Sequence, residues 1–270
     1  MSTILITGGS GEIATAIRPL LARHGRRLCD LAEPRQAPGR GEEFLRADIT
    51  DVEAMTAACR GADLVVHLGG HRQERSFEEI LRVNIGGTQA VLEGARRAGV
   101  RRVLLASSVH AVGYATVAQA REDEVLAPRP DSYYGVGKVA LEGLGSLYAD
   151  RFGMTIVSAR LAAFLPAPRD RRGLSLWLSP GDMAGLVESC LALDAPGHHL
   201  VWGVSANTRA WVRPESGATI GFQARDDAES HAEGLEGIVP QSEEDADAIL
   251  RTPLGGDSVL LDRPLGTHWG

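Results

Sequence analysis

The fold is decided by the stretch T-I-L-I-T-G-G-S-G-E-I-A, residues 3–14. An apolar run at residues 4–6 is followed by glycines at positions 8, 9 and 11, and apolar residues then recur with helical spacing as far as Leu21. This order predicts a strand, a tight turn and a helix. Glycines let a pyrophosphate approach the backbone closely, and the start of the following helix attracts its charge. Alone, such a turn also occurs in α/β domains that bind no nucleotide.

An acidic residue supports the nucleotide-binding interpretation. Asp30 ends the next apolar run, nineteen residues after Gly11. This is close to the spacing of about 20 residues expected for an acid that binds the adenosine ribose. Its charge would repel a ribose phosphate, so NAD is favoured over NADP. Arg35 keeps NADP open as the alternative.

Strand and helix signals alternate as far as residue 160. The pattern predicts strands at 27–30, 44–48, 64–68, 102–107 and 155–160, with helices at 51–60, 76–99 and 132–151. It therefore predicts an α/β fold with a doubly wound parallel sheet of the Rossmann type. A loop at 164–180, a helix to about residue 193 and a strand at 199–203 follow. We expect an NAD-binding domain at 1–163 and a small substrate-binding lobe at 164–270, which can also count as one domain.

Composition excludes several classes of function. The chain has 270 residues, 44% of them hydrophobic, and a net charge of −7, which argues against a nucleic-acid partner. No apolar run approaches the ~18 residues of a membrane span, and the start of the chain has no signal-peptide pattern. We therefore expect no membrane partner and a cytoplasmic location. The three cysteines and eight histidines are scattered, so no disulfide framework or metal site is expected.

The residues that carry chemistry follow later in the chain. Tyr134 and Lys138 are four residues apart at the start of a predicted helix and share one face of it. An ammonium beside a phenol favours phenolate, so we expect a lowered pKa for Tyr134 and a role as proton acceptor. Ser108, at the end of the preceding strand, would hydrogen-bond the same substrate oxygen. Y-x-x-x-K alone is a common accident, but here it follows a glycine-rich turn and a Ser-Ser strand end.

Together these motifs resemble a known family. The ordered set T-G-G-S-G-E-I-A, Asp30, Asp48, H-L-G-G at 67–70, Asn84, A-S-S at 106–108 and Y-G-V-G-K at 134–138 is similar to the extended short-chain dehydrogenase/reductases, the NAD-dependent epimerase/dehydratase family. The resemblance implies that Tyr134 is the acid/base, that Lys138 binds the nicotinamide ribose and that Ser108 orients the reacting hydroxyl. Asn84 would support a proton relay; the alternative is a helix residue satisfied by the backbone.

The same resemblance implies a set of cofactor contacts. They are Gly8, Ser10, Gly11, Glu12, Ile13, Asp30, Leu31, Asp48, Ile49, Leu68, Gly69, Gly70, Ser107, Tyr134, Lys138 and Leu161. In this assignment Asp30 binds the adenosine ribose, Asp48 and Ile49 line the adenine site, and the two glycines after residue 68 pass near the phosphates.

Within that family the chain is similar to the uronate dehydrogenases, which oxidise the anomeric carbon of hexuronic acids. The stretches ASSVHAVGY, YYGVGK and LSLWLS carry this similarity. It implies substrate contacts from Arg72, Ser108, Val109, His110, Ala163 and Arg172. Arg172 matches, whereas Arg72, Val109 and Ala163 replace a serine, an asparagine and a serine. Arg72 and Arg172 suggest an anionic substrate; the alternative is two solvated surface arginines. His110 donates to a substrate oxygen or only packs in its loop.

We therefore expect an NAD-dependent dehydrogenase acting on a small acidic sugar or a related hydroxy compound. The alternative is an NAD-retaining epimerase or dehydratase of the same superfamily. A non-catalytic NAD sensor would need neither Tyr134 nor Lys138, so we do not favour it. Relatives usually associate as homodimers or higher homo-oligomers through the helices that hold Asn84 and Tyr134, and the resemblance implies the same assembly here.

Overall fold

The computed structural model describes residues 1–123, 125–235 and 243–268. Its strands are β1 (Thr3–Thr7), β2 (Gly25–Asp30), β3 (Glu42–Arg46), β4 (Leu64–His67), β5 (Arg102–Ser108), β6 (Thr155–Leu161), β7 (Ala163–Phe164), β8 (Trp177–Leu178) and β9 (Gly197–Gly203). In the described part of the chain, seven parallel strands form one sheet in the order β3-β2-β1-β4-β5-β6-β9. The predicted doubly wound parallel sheet is confirmed.

Helices connect these strands. They are α1 (Glu12–Ile17), α2 (Val52–Cys59), α3 (Phe77–Glu79), α4 (Gly87–Arg97), α5 (Val117–Glu122), α6 (Tyr133–Phe152), α7 (Arg171–Leu176), α8 (Pro180–Ala192) and α9 (Glu243–Arg251). A π-helical turn, Ile80–Gly86, joins α3 to α4. Short 3₁₀ turns lie at Pro19–Leu21, Val109–Val112, Pro214–Ile220, Ala228–Leu235 and Gly256–Val259.

The two faces of the sheet are covered by different helices. Successive side chains of a strand point to opposite faces, and β1 buries both of its faces. Ile4 and Ile6 pack in a cluster with Ile17 of α1 and residues of α8. Leu5 packs in a second cluster with residues of α2, α4 and α6. Both faces of β1 are therefore core, which explains its uninterrupted apolar sequence.

Several predicted boundaries differ from the structure in informative ways. Helix α1 ends at Ile17 because Pro19 begins a 3₁₀ turn, which leaves Leu20 half exposed. Strand β3 ends at Arg46, two residues earlier than predicted, so Asp48 lies in the loop beyond the strand. The predicted helix at 76–99 is present, but the π turn interrupts it.

The prediction of a plain loop at 164–180 is wrong. This segment contains β7, α7 and β8. Asp170 caps α7 by accepting a 2.6 Å hydrogen bond from the backbone N–H of Gly173. Leu176, the last residue of α7, and Trp177, the first residue of β8, are both buried. A helix of six residues is too short to show a periodic pattern among the many Pro, Arg and Gly residues of this segment.

The sheet continues past the predicted domain boundary at residue 163. Strand β9 pairs with β6 along seven residues, from Gly197 opposite Thr155 to Gly203 opposite Leu161. The preceding helix α8 packs on α1 and contributes Leu186 and Val187 to the same core cluster. The sheet and its core therefore extend beyond residue 163. That residues 1–163 bind the cofactor and residues 164–270 contribute the substrate contacts stays a proposal.

None of the described helices has the length and apolar character needed to cross a membrane. Among the same residues, no group of three or more His, Cys, Asp or Glu side chains is arranged to hold a metal ion. Cys29, Cys59 and Cys190 are all buried and carry free thiols. Burial raises the pKa of Cys29 to about 11, so this thiol stays protonated at neutral pH.

Candidate active site

A cleft of about 610 Å³ opens beyond the carboxyl ends of the central strands. Ligands of open parallel sheets bind at this edge. All but one of the predicted cofactor residues line the cleft: Gly8, Gly11, Glu12, Ile13, Asp30, Leu31, Asp48, Ile49, Leu68, Gly69, Gly70, Ser107, Tyr134, Lys138 and Leu161. The exception is Ser10, whose backbone N–H donates to the carboxylate of Asp30 at the end of β2 and whose hydroxyl donates to the carbonyl of Ala32 in the loop that follows.

The glycine-rich turn lies against the loop that follows β4. Gly8 has a φ of +67°, and a Cβ at this position would be 2.8 Å from the backbone nitrogen of Gly69. Only glycine meets both conditions. The N–H of Gly11 donates a 3.0 Å hydrogen bond to the carbonyl of Gly8, which closes the turn. Ala14, at the third glycine-like position, is fully buried under the sheet.

Asp30 lies at the end of β2 and lines the far end of the cleft. Its carboxylate accepts a 2.7 Å hydrogen bond from the N–H of Leu31 and a 3.1 Å hydrogen bond from the N–H of Ser10. These bonds fix the side chain beside the glycine-rich turn. A carboxylate held in this position suits a ribose diol and disfavours a ribose phosphate.

Asp48 and Ile49 form one wall of the same end of the cleft. The Asp48 carboxylate accepts 2.9 Å hydrogen bonds from the N–H and the hydroxyl of Thr50. Ile49 is packed against Gly87, where a Cβ would lie 2.8 Å from its Cδ1. Two residues of the π turn, Arg82 and Val83, also line the cleft. These two were not predicted from the sequence.

The π turn also positions Asn84. This side chain is buried, and both ends of its amide bind the backbone of His71: Oδ1 accepts from the N–H at 2.9 Å and Nδ2 donates to the carbonyl at 3.0 Å. Asn84 therefore holds the loop that carries Gly69 and Gly70 along the cleft. The π turn is a feature often found at functional sites. A role of Asn84 in a proton relay stays a prediction.

His67 connects this turn to the glycine-rich strand. Its ring lies between the hydroxyls of Thr7, 2.7 Å from Nδ1, and Thr88, 3.1 Å from Nε2. Thr88 donates its own proton to the carbonyl of Asn84 at 2.6 Å, so it must accept from Nε2–H. Burial lowers the pKa of His67 to about 3, and the ring is neutral.

Tyr134, Lys138 and Ser108 meet at the base of the cleft. The hydroxyl of Ser108 is close enough to the phenol of Tyr134 to lower its pKa by interaction with the phenolate. The ammonium nitrogen of Lys138 lies over the Tyr134 ring, 5.3 Å from its centroid, and donates a 2.6 Å hydrogen bond to the carbonyl of Ala106. The structure thus brings together the three side chains that the sequence predicts to act as one unit.

The predicted lowering of the Tyr134 pKa is wrong. Burial raises the pKa of Tyr134 to about 12; the Ser108 hydroxyl opposes this rise, and the charge of Asp131 adds to it. Burial also lowers the pKa of Lys138 to about 8, against the charge of Glu142. The lysine binds a carbonyl rather than the phenol, so desolvation outweighs its attraction for phenolate.

A buried ion pair supports this arrangement from below. Glu142 on α6 accepts two 2.9 Å hydrogen bonds from the guanidinium of Arg160 on β6. It also accepts a 2.6 Å hydrogen bond from the hydroxyl of Ser107. Ser107 and Ser108 thus each interact with a side chain of α6, Ser107 with Glu142 and Ser108 with Tyr134.

The predicted substrate residues separate into two groups. Arg72 and Ser108 line the cleft; Val109, His110, Ala163 and Arg172 do not. Val109 is buried in an apolar cluster, and Ala163 pairs with Trp177 in the small β7–β8 ribbon. Arg72 is largely exposed and forms a 2.9 Å ion pair with Glu12 across the mouth of the cleft.

Arg172 lies behind the cleft wall. Its guanidinium donates hydrogen bonds of 3.3 and 3.0 Å to the carbonyl of Leu254. Burial lowers its pKa, while Asp170, Asp131 and Asp257 oppose this effect. In this structure Arg172 is therefore held by the C-terminal segment and does not reach the cleft.

The cleft also contains residues that sequence reasoning missed. They are Ala47, His71, Arg82, Val83, Ala106 and Ala162. Most are direct neighbours of predicted residues, so the strand ends alone could have identified them. His71, whose buried Nε2 has no hydrogen-bond partner within the described chain, and Arg82 follow no motif and could not be found in this way.

Comparison with known proteins agrees with this geometry. Residues 4–178 match the NAD-dependent epimerase/dehydratase family. The chain belongs to this family. A uronate dehydrogenase of Pseudomonas syringae pv. tomato is 38% identical over 229 residues, covering 84% of this chain and 82% of that protein. A uronate dehydrogenase of Agrobacterium fabrum is 34% identical and covers 98% of both chains.

A solved structure extends the similarity to the cofactor. A tyrosine-to-alanine mutant of the Agrobacterium tumefaciens uronate dehydrogenase, complexed with NAD, superimposes with a TM-score of 0.85 at 33% identity over 98% of each chain. The open backbone at Gly8 and the carboxylate of Asp30 fit this dinucleotide. The predicted cofactor of this epimerase/dehydratase-family protein, NAD, is confirmed.

Relatives with other substrates match over similar lengths. In Haloferax volcanii, an L-arabinose 1-dehydrogenase is 31% identical over 84% of this chain, and an NAD-dependent glucose-6-phosphate dehydrogenase is 33% identical over 83% of it. All these relatives are named as sugar dehydrogenases, so overall identity points to the reaction more strongly than to one sugar.

Proposed function

We propose that this protein is an NAD-dependent dehydrogenase that oxidises the anomeric carbon of a small acidic sugar to a lactone. The observation that carries the proposal is the group formed by Tyr134, Ser108 and Lys138 at the base of a cleft that fits NAD. Such a group supplies a proton acceptor, a donor that orients a hydroxyl, and a cation that favours the deprotonated phenol.

Each residue has a defined part in the proposed reaction. Ser108 hydrogen-bonds the anomeric hydroxyl and directs it toward Tyr134. The phenolate oxygen of Tyr134 takes the hydroxyl proton as the C–O bond becomes a carbonyl. When bound, NAD accepts the hydride from the same carbon, and its positive nicotinamide favours phenolate. Lys138 keeps a positive charge beside the ring below about pH 8.

The charge at the mouth of the cleft supports an acidic substrate. Arg72 is the arginine that lines the cleft on the side of Gly70, and its present partner, Glu12, is exposed. An exposed ion pair contributes little free energy, so a bound anion can replace Glu12 at little cost. A guanidinium holds carboxylates and phosphates through two parallel hydrogen bonds.

The pocket wall favours a substrate with fewer hydroxyl contacts than a hexuronate makes in its dehydrogenases. Leu161, Ala162 and Phe164 line the cleft with side chains that offer no hydrogen bond, whereas Val109 and Ala163 lie outside it. A buried sugar hydroxyl without a partner costs about 1–3 kcal/mol. We therefore include shorter acidic sugars and sugar phosphates among the candidates.

A substrate panel tests the proposal directly. The purified protein is mixed with NAD and with galacturonate, glucuronate, neutral aldoses, aldose phosphates or aldonates, and the absorbance of reduced NAD is followed. We expect net reduction with at least one acidic sugar and a lactone as the product. Absence of NAD reduction across the whole panel, with NAD binding intact, would contradict the proposal.

The Tyr134→Phe variant is the control for the chemical step. It should still bind NAD and should lose turnover by about 10²- to 10⁴-fold. The alternative epimerase or dehydratase would convert the sugar with no net accumulation of reduced NAD.

We further propose assembly as a homodimer through the helices of Asn84 and Tyr134 and a location in the cytoplasm.

A further inference from the structure

A buried carboxylate lies next to the catalytic group without touching the cleft. The side chain of Asp131 has no exposed surface. Its Oδ2 is 2.8 Å from Nδ1 of His110, and its Oδ1 accepts a 2.8 Å hydrogen bond from the hydroxyl of Ser132. Oδ1 therefore binds Ser132, which is two residues from Tyr134 in the chain, and Oδ2 binds His110, whose ring contacts the ring of Tyr134.

Three glycines make room for this carboxylate. A Cβ at Gly113 would be 1.9 Å from Oδ2 of Asp131, and a Cβ at Gly255 would be 2.1 Å from the same atom. A Cβ at Gly135 would be 3.2 Å from Oδ1 and 2.4 Å from the carbonyl oxygen of His110. The backbone of three separate segments thus encloses the Asp131–His110 pair and fixes its geometry.

The pair determines which nitrogen of His110 is free. A carboxylate can only accept, so Nδ1 must carry the proton that it donates to Asp131. In the neutral ring, Nε2 is then an acceptor. The ring lies edge-on to Tyr134, with centroids 5.7 Å apart, and is partly exposed. His110 does not itself line the cleft, but Tyr134, which its ring contacts, does. A substrate that extends past Tyr134 toward this ring would place a hydroxyl at Nε2.

The second oxygen connects Asp131 to the helix of the catalytic residues. The hydroxyl of Ser132, which donates to Asp131, accepts a 3.0 Å hydrogen bond from the N–H of Gly135 and so caps α6. Tyr134 and Lys138 lie in the first turns of this helix. Asp131 therefore orients both His110 and the cap of the helix that carries the proton acceptor.

We propose that Asp131 is a positioning residue of the active site, which holds His110 with Nε2 as a hydrogen-bond acceptor for a substrate hydroxyl beside Tyr134. This inference rests on the proposed dehydrogenase function. It assigns to His110 the role of an acceptor rather than a donor, and it gives the fixed orientation of the ring beside Tyr134 a physical cause.

Other charges surround the group and must be considered in its test. They are Lys138 on α6, Glu74 at the start of α6, Glu142 below Lys138, and Arg172, Asp170 and Asp257 behind Asp131. The charge of Asp131 raises the pKa of Tyr134 in this setting.

The first test is Asp131→Asn, with Asp182→Asn as a matched control. Asp182 is also buried and accepts hydrogen bonds from the N–H groups of Arg225 and Asp226, but it does not line the cleft. The asparagine amide can donate to Nδ1 and reverse the tautomer of His110. We expect kcat to fall by about 10- to 100-fold, as for metal-bound imidazoles that lose an outer hydrogen-bond partner.

The pH profile separates positioning from simple loss of stability. Removing the negative charge of Asp131 lowers the pKa of Tyr134, so the acidic limb of kcat should move to lower pH in Asp131→Asn. Asp182→Asn should lower the melting temperature with an unchanged profile. An unshifted limb and a normal kcat in Asp131→Asn would overturn the proposal.

A double-mutant cycle tests whether Asp131 acts through His110. His110→Phe keeps a ring against Tyr134 and removes both nitrogens. Adding Asp131→Asn to His110→Phe should lower kcat by much less than Asp131→Asn does in the wild-type background, because only the effects through Ser132 and through charge remain. If the two substitutions multiply, Asp131 does not act through His110.

Nitrogen NMR of the histidine ring tests the arrangement without any turnover. In the wild-type protein, at a pH where the ring is neutral, we expect His110 to carry its proton on Nδ1, and in Asp131→Asn on Nε2. A wild-type ring protonated on Nε2 would overturn the inference even if the protein is an active dehydrogenase. The expected tautomer in a protein without sugar oxidation would instead contradict only the proposed function.

Discussion

Glu74 Oε2 accepts a 2.8 Å hydrogen bond from the backbone N–H of Tyr134. Its Oε1 accepts the N–H groups of Tyr133 at 3.1 Å and of Gly266 at 3.0 Å. This carboxylate is buried, comes from the loop after β4 and lies at the positive end of α6. It therefore joins the cleft loop, the catalytic helix and the C-terminal segment at one point.

We expect Glu74→Gln to lower both stability and activity. The NH₂ group of the glutamine would face a backbone N–H, so that two donors meet. Because the buried N–H groups also lose a charged acceptor, we expect the free energy of unfolding to fall by at least about 2 kcal/mol. Urea unfolding and kcat measure the two effects. Glu78→Gln, an exposed acid on α3, should change stability by less than about 0.5 kcal/mol. Equal effects from the two variants would contradict this role.

The rate of oxidation should rise with pH and then flatten. Because burial raises the pKa of Tyr134 to about 12, the reactive phenolate is a minor form at neutral pH and increases with pH. The pKa of Lys138 is lowered to about 8, so above that pH the lysine loses its charge and no longer favours phenolate. Rates from about pH 6 to about pH 10 measure this. Lys138→Arg should remove the flattening; a rate that falls between pH 6 and about pH 8 would refute the argument.

Neutralising Asp30 should relax the preference for NAD. In Asp30→Asn the side chain no longer repels a ribose phosphate, and we expect the ratio of kcat/KM for NADP to that for NAD to rise by about 10-fold or more, equivalent to about 1.4 kcal/mol. Glu33→Gln removes a nearby exposed charge that pairs with Arg46 and does not line the cleft. It should leave the ratio unchanged. A similar rise in both variants would indicate a general field effect.

Arg72 should discriminate between charged and neutral substrates. Arg72→Ser is expected to raise KM for an acidic sugar by about 10-fold and to leave that for a neutral aldose unchanged. Glu12→Gln releases Arg72 from its ion pair and should lower KM for the acidic sugar. Since the pair is exposed, neither variant should change stability by more than about 1 kcal/mol. Equal changes of KM for both sugars in Arg72→Ser would count against an anion-binding role.

Glu42 should make stability sensitive to acid. Its carboxylate is buried between Arg18, at 2.5 Å, and Arg26, at 3.1 Å. The hydrogen bond from Arg18 is the main reason that its pKa falls from 4.5 to about 2. The folded state thus gains stability above pH 4.5 and loses it as the pH falls toward 2.

Urea unfolding at a series of pH values measures this dependence. Glu42→Gln leaves two buried guanidinium groups without a carboxylate, and we expect a loss of about 3–5 kcal/mol at neutral pH with a flatter acid dependence. The neighbouring Glu43 is half exposed and pairs with Arg27. Glu43→Gln should lose less than about 1 kcal/mol. An unaltered acid dependence in Glu42→Gln would remove Glu42 as its source.

Local sequence was sufficient where a short motif determines its own geometry. The glycine-rich turn, Asp30 at its fixed spacing, and the Tyr134–Lys138 pair on one helix face are defined by neighbours in the chain. The structure brings all of them to one cleft.

Long-range contacts were beyond the sequence. Glu74 meets Tyr134 across 60 residues, and Arg172 binds a carbonyl 82 residues away. A charged residue in a loop shows no periodicity that would reveal such a partner. The pKa of Tyr134 was mispredicted for a related reason: the spacing of Lys138 gives its face of the helix, but not the burial of the phenol or the carbonyl that the lysine binds.

The hydroxyl–imidazole chain through Thr7, His67 and Thr88 has only one permitted direction. The N–H of Gly69 donates to Thr7 Oγ1 at one end, and the carbonyl of Asn84 can only accept at the other. The position of every proton between these two groups is therefore fixed. The substitution Thr88→Val would leave the Nε2–H of His67 without its hydrogen-bond acceptor beneath the glycine-rich turn. One buried hydroxyl, that of Thr88, thus sets the tautomer of the histidine beside the glycine-rich turn.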